Sequence, residues 1–288
     1  MHEHPVRTLL GRRLSLRETL LSLGLGVPVL LYAILCFYAW FFSEALIFQP
    51  PKPHYRDTGD IIKLPVQDGV SISARYLANP QARFTILYSH GQSEDLGDSA
   101  EALTALRRLG VAVFAYDYEG YGTSEGRPSE ARAYRDIDAA YDYLTGTLNV
   151  PSDRIIAYGF SLGSGPAVDL ASRKPVAGLI LESAFASAFR TYLPVQILPF
   201  DRFDNLGKIA GVSRPVLILH GMRDALIPVR QAEQLFQAAR GPKRLVVFKD
   251  MGHFGIKWDP TNEFARALEA FLASIGKRHY EARLSLPP

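Results

Sequence analysis

Residues 154–163 read Arg154-Ile155-Ile156-Ala157-Tyr158-Gly159-Phe160-Ser161-Leu162-Gly163, and an amphipathic stretch continues to about residue 173. The run Arg154–Phe160 has the apolar character of a buried strand, and the stretch after it has helical spacing. Between them stands G-x-S-x-G. In that context the pattern makes a sharp strand-to-helix turn, with the serine strained and its Oγ exposed. Glycines flank it because a Cβ there would strike the turn or the neighbouring strand. The helix N-terminus favours negative charge developing beside it. Gly165 and Pro166 fall in the first helical turn, where proline is tolerated. Alone the pentapeptide is a weak signal, since glycine and serine are common in turns. The strand before and the helix after make Ser161 the candidate nucleophile.

Outward from this point, short apolar runs alternate with helical patterns. The other runs are Phe84–Ser89, Val111–Asp117, Ala177–Glu182, Pro215–His220 and Arg244–Lys249, preceded by Ile61–Val66 and Ser71–Leu77 around the turn signal Asp68-Gly69. Helical stretches are expected near 98–109, 129–148, 162–173, 228–239 and 260–275. This alternation predicts an α/β fold: eight strands, mostly parallel, with helices on both faces and an antiparallel hairpin first. Functional side chains in such sheets sit just beyond the strand C-terminal ends.

A serine hydroxyl needs a base to take its proton. Of the seven histidines, His2 and His4 lie at the extreme N-terminus, His54 in a proline-rich stretch and His279 in a polar tail. His90 and His220 end strands and precede glycine, which suits loop shaping. His253 follows the last strand in a short loop and fits a general base. The chain order Ser…Asp…His then makes Asp224, after the seventh run, the carboxylate that orients it. Glu182, at the end of the sixth run, is its rival; Asp201 and Asp204 are weaker ones. Asp117 reads as a loop organiser. The oxyanion would take backbone N–H groups from Leu162 and from Gln92, in the loop after the third run.

These residues carry a family resemblance. Tyr88-Ser89-His90-Gly91, Tyr116–Ser124, Gly126–Glu130, Gly159–Gly163, Val168–Ala171, Pro215–Asp224 and Gly252-His253 resemble, in order over residues 61–275, the abhydrolase-domain proteins of the α/β-hydrolase superfamily. The resemblance implies a membrane-associated serine hydrolase acting on esters or thioesters, in a branch some of whose members remove palmitate from protein cysteines. Those members attach through a Cys-rich, acylated N-terminus, whereas this chain has one cysteine, Cys36, inside an apolar run. The H-G-G-G sequence of another esterase branch is absent. Related dehalogenases and epoxide hydrolases place aspartate where Ser161 stands. The same triad also serves peptidases and amidases, and some hydrolase folds are inactive binding proteins.

Lids in this fold enter between the sixth and seventh strands. Here that stretch, Ser183–Arg214, is short. Its apolar run Tyr192–Phe200 is either packing beneath the loop or an acyl-chain groove, for which Leu193 and Phe200 are the candidate lining residues.

From Thr19 to Phe42 no residue is charged. That length matches the roughly 20 residues of a bilayer-spanning helix, and aromatics crowd its C-terminal end. A signal-peptide core is shorter and ends at small residues. The predicted organisation is a basic flank (1–18), a membrane anchor (19–42), a stiff linker (43–60), the catalytic domain (61–275) and a polar tail (276–288). Four arginines against two glutamates in the flank place the N-terminus in the cytoplasm and the catalytic body on the opposite side, the periplasmic face of the inner membrane in a bacterium. The net charge of the chain is only +3, so it has no electrostatic footprint for nucleic acid. No Cys/His cluster suggests a metal, and no cofactor is implied.

Overall fold

Successive side chains of a strand point to opposite faces, and the central strands here are apolar at every position, so both faces must be covered. The computed structural model describes residues 16–191, 196–259 and 261–284. Its strands are β1 (Ile61–Pro65), β2 (Ser71–Leu77), β3 (Thr85–Ser89), β4 (Ala112–Tyr116), β5 (Ile155–Phe160), β6 (Gly178–Glu182), β7 (Val216–Gly221) and β8 (Lys243–Phe248). They form one sheet in the order β1-β2-β4-β3-β5-β6-β7-β8. The β1/β2 and β2/β4 pairs are antiparallel and the rest parallel. The expected eight-stranded, mostly parallel sheet is therefore present, with each strand within a residue or so of its predicted run.

The helices are α1 (Leu16–Ile47), α2 (Ala100–Arg108), α3 (Glu130–Asp142), α4 (Ser164–Arg173), α5 (Asn205–Ile209), α6 (Val229–Ala238) and α7 (Glu263–Leu284). In β3, Leu87 joins one apolar layer with Ile137 of α3, Val168 of α4 and Leu235 of α6. Its neighbours Ile86 and Tyr88 join the other layer, with Leu103 of α2 and Leu268 of α7. Ser129 caps α3, its hydroxyl accepting the Arg132 N–H at 3.2 Å.

Strand order reverses at β3. Chain from β3 runs outward to β4 on one side, and from β5 outward to β8 on the other. Ser89 of β3 sits opposite Gly159 of β5. The loops leaving these two strands therefore diverge from adjacent points, the crevice in which open α/β sheets bind their ligands.

Two boundaries differ from those read in the sequence. The apolar helix does not stop at residue 42. It continues to Ile47, and the chain divides into two compact units, Met1–Ser43 and Glu44–Pro288. Within the second unit, Ile47 and Phe48 belong to the core, and the Phe48 ring lies 5.8 Å from that of Phe203. The start of the stretch read as a stiff linker is thus part of the core, at Ile47 and Phe48, while residues 49–60 are mostly exposed and held by hydrogen bonds such as Gln49 N–H to the Tyr121 hydroxyl. At the other end α7 runs on to Leu284, through most of the stretch read as a polar tail.

The first unit is the greater part of α1. Gly24–Ile47 is long and apolar enough to cross a membrane by length and composition. Leu25, Val29, Phe37 and Phe41 are all exposed along it. A helix apolar on all sides suits a lipid surrounding.

Candidate active site

The turn after β5 holds Ser161 at φ 50°, a left-handed value unusual for a residue with a side chain. Its flanking glycines are sterically required. A Cβ on Gly159 would come 2.5 Å from Ser164 Cα, and one on Gly163 would collide with the Ser89 carbonyl oxygen. The Ser164 hydroxyl donates to the Ser161 carbonyl at 2.7 Å, and the buried Asn205 amide donates to Ser164 Oγ at 3.1 Å. The strained serine is therefore braced from α4 and from α5, an element within the segment read as a lid.

His253 reaches this serine from the loop after β8. Its Nε2 lies 2.9 Å from Ser161 Oγ, and its Nδ1 lies 2.8 Å from Asp224 Oδ2. An ionised carboxylate only accepts hydrogen bonds, so Nδ1 carries the proton and Nε2 presents a lone pair to the serine hydroxyl. Asp224 has no exposed side-chain surface. Burial pushes its pKa up, but hydrogen bonds from His253 and the Ile227 N–H, with the nearby imidazoles, outweigh that and hold it below the ordinary carboxylate value. Its Oδ1 accepts from Leu226 N at 2.9 Å and Ile227 N at 2.8 Å. The Ser183 hydroxyl donates to the His253 carbonyl at 2.9 Å and so ties the histidine loop to the end of β6.

The rival acid is engaged elsewhere. Glu182 is buried at the end of β6, where Lys257 Nζ lies 2.6 Å from its Oε2 and the Tyr158 hydroxyl donates to the same oxygen. Asp201 accepts from Phe189 N at 3.0 Å and from the Ser187 hydroxyl, and Asp204 caps α5. His220 donates through Nε2 to the Ile227 carbonyl at 2.8 Å, and burial lowers its pKa against the pull of that carbonyl and of Asp224. His90 is also buried: Nδ1 is 2.8 Å from the Gly91 carbonyl and Nε2 is 3.3 Å from Asp117. Both histidines shape their loops. Asp117 accepts the Leu96 N–H at 2.9 Å and the Tyr55 hydroxyl, which organises the loop after β3.

Ser161 and His253 open into a cavity of about 430 Å³. Gln92 and Leu162, the two residues expected to supply oxyanion donors, are on its wall. Gln92 is held from two sides: the Tyr121 hydroxyl donates to its carbonyl at 2.8 Å, and its own amide donates to the Leu46 carbonyl at 3.0 Å. The apolar wall comprises chiefly Ile47, Phe185, Leu226, Ile227 and Phe254. Phe200 is not on that wall. It packs instead against Phe189, with ring centroids 6.0 Å apart, because Asp201 pins the chain beside it. Leu193 lies outside the described residues. The groove expected in the lid run is thus built, among the described residues, from other loops. Leu226 and Ile227 stand close behind Asp224, and Phe254 directly follows His253, so adjacency to the candidate catalytic residues was the available signal. Glu94, two residues after Gln92, carried the same signal; Ile47 carried none.

Residues 80–202 match the family model described as serine aminopeptidase, S33. Alpha/beta hydrolase domain-containing protein 17B of Xenopus laevis is 36% identical over 197 residues, covering 67% of this chain and 68% of that one. The human protein of the same name is 37% identical over 178 residues, covering 61% and 62% of the two chains. An esterase of Pyrococcus furiosus superposes with a TM-score of 0.66, covering 79% of this chain and 97% of the esterase, at 20% identity; that likeness speaks to the fold.

Proposed function

Given that this chain belongs to the abhydrolase-domain serine hydrolases of the α/β-hydrolase superfamily, we propose that it cleaves acyl esters or thioesters through an acyl-enzyme on Ser161. The observation that carries this is the hydrogen-bonded series Ser161–His253–Asp224, at 2.9 and 2.8 Å, opening into a largely apolar cavity. His253 Nε2 takes the serine proton as Oγ attacks the acyl carbonyl carbon. Asp224 holds the imidazole in the required tautomer and stabilises the imidazolium. The N–H groups of Leu162 and Gln92 receive the developing oxyanion. The imidazolium then gives its proton to the departing thiol or alcohol, and water activated by the same nitrogen releases the acid.

The apolar wall favours an aliphatic acyl group, and α1 favours a membrane setting, so lipidated molecules at a bilayer are the substrate class. By the charge of its N-terminal flank, α1 is an anchor with its N-terminus in the cytoplasm and the catalytic unit opposite. A topology reporter fused to the C-terminus and reading cytoplasmic would refute that orientation.

The family model's description favours a second reading, a peptidase using the same atoms. The test is labelling by a fluorophosphonate probe, wild type against Ser161→Ala, followed by turnover of matched thioesters, esters and amides. Labelling lost in the variant, with amides turned over slowest, supports the esterase reading. A folded wild type that resists the probe overturns it.

A further inference from the structure

The cavity beside Ser161 has one feature that ester cleavage does not use. Among the described residues on its wall, Glu94 is the single acidic side chain and there is no lysine or arginine; apart from His253 the remainder are apolar or neutral. One carboxylate oxygen of Glu94 accepts the Gly91 N–H at 3.1 Å, and the side chain is half-buried. No lysine or arginine among the described residues pairs with it. The buried Lys257 lies 4.3 Å from the centre of the Phe160 ring and is committed to Glu182. Arg223, on the loop carrying Asp224, is committed to Asp250 at 2.7 Å.

The buried His90 imidazole is within electrostatic reach of Glu94, but no side chain among the described residues forms an ion pair with it, and a carboxylate beside an apolar cavity, away from full solvation, attracts cations and repels anions more strongly than one on an open surface. Assigning the acyl chain to the apolar wall of Phe185, Leu226 and Phe254 leaves the polar stretch Gly91–Glu94, which also carries Gln92, for the leaving group.

We propose that Glu94 is a specificity-determining residue that selects leaving groups bearing a cationic nitrogen close to the scissile bond. This rests on the acyl-hydrolase reading above. In a protein substrate, the cation would be a basic side chain near the acylated residue. Glu94 takes no part in bond making; its carboxylate pairs with the cation while the ester or thioester lies against Ser161.

Three octanoyl thioesters test this: octanoylthiocholine, its neutral 3,3-dimethylbutyl isostere, and the smaller, anionic 3-mercaptopropionate thioester. Thiol release gives kcat/KM for the full-length chain in wild-type, Glu94→Gln and Glu94→Lys forms. Gln retains an oxygen for the Gly91 N–H, so the loop is preserved. Wild type should prefer the cationic over the neutral thioester by about five- to tenfold, the scale of a partly solvated ion pair. Glu94→Gln should bring that ratio near one, and Glu94→Lys should turn the preference toward the anion. A cationic preference that survives Glu94→Gln, or an equal rate on all three thioesters in wild type, overturns the proposal. Fluorophosphonate labelling run in parallel separates the two levels. A labelled serine with ratios indifferent to Glu94 removes only the charge selection, whereas an unlabelled folded protein removes the hydrolase mechanism with it.

Discussion

Two buried carboxylates near Ser161 have opposite employment. Asp224 accepts from His253, so its loss should act on catalysis; Glu182 balances Lys257, so its loss should act on stability. Asp224→Asn removes the charge that orients the imidazole and is expected to lower kcat on a short-chain ester by about 10⁴-fold, with unfolding nearly unchanged. Glu182→Gln leaves an almost fully buried ammonium without its partner. Urea unfolding should then show a loss of about 3–5 kcal/mol. If the first variant were the unstable one and the second the inactive one, the acid of the series would be misassigned.

Among elements, α3 is joined to the loop after β4 by a buried acid. Asp136 has no exposed surface; its Oδ2 accepts the Glu119 N–H at 3.0 Å, while Oδ1 has no partner among the described residues. Burial pushes its pKa up to about 8, against the pull of that N–H and with a further push from the Glu119 carboxylate. The folded protein therefore keeps a proton that the unfolded chain releases above about pH 4. Folding stability from this group is full at low pH and is lost as pH rises toward 8. Asp136→Asn should raise the Tm, and by more at pH 8.5 than at pH 5, in parallel thermal melts. An equal change at both pH values would place the pH sensitivity elsewhere.

For the whole molecule, the C-terminal end of the long apolar helix and the residues just after it matter to the site. Leu46 accepts from the Gln92 amide, and the Tyr121 hydroxyl both accepts from Gln49 N at 3.1 Å and donates to the Gln92 carbonyl. A chain beginning at Glu44 retains these contacts and Phe48. It should melt cooperatively and keep its fluorophosphonate reactivity. One beginning at Ile61 loses them and should melt lower and react more slowly. Equal reactivity of the two would show that residues 44–60 do not support the loop carrying Gln92.

Strand and helix positions were legible in the sequence because they rest on local periodicity and on turn residues, which act over a few positions. The strain at Ser161 was legible for the same reason: Gly159 and Gly163 flank it in the chain. Chain order pointed to Asp224 as the acid that meets His253 but left Glu182, at the end of β6, as a rival; what removes the rival is a distant contact, Lys257, four residues beyond His253, reaching back to β6. The cavity wall as a whole was not legible, because it joins Ile47, Glu94, Phe185, Leu226 and Phe254 from five separated parts of the chain. The apolar run 192–200 read by composition either as packing beneath the loop or as a groove. Asp201, through hydrogen bonds to Ser187 and Phe189, turns Phe200 toward Phe189. The sequence by itself determined the elements, their order and the residues with chemistry to offer. Only the tertiary structure decided which of those residues share a space, because that depends on contacts between parts of the chain that no local pattern records.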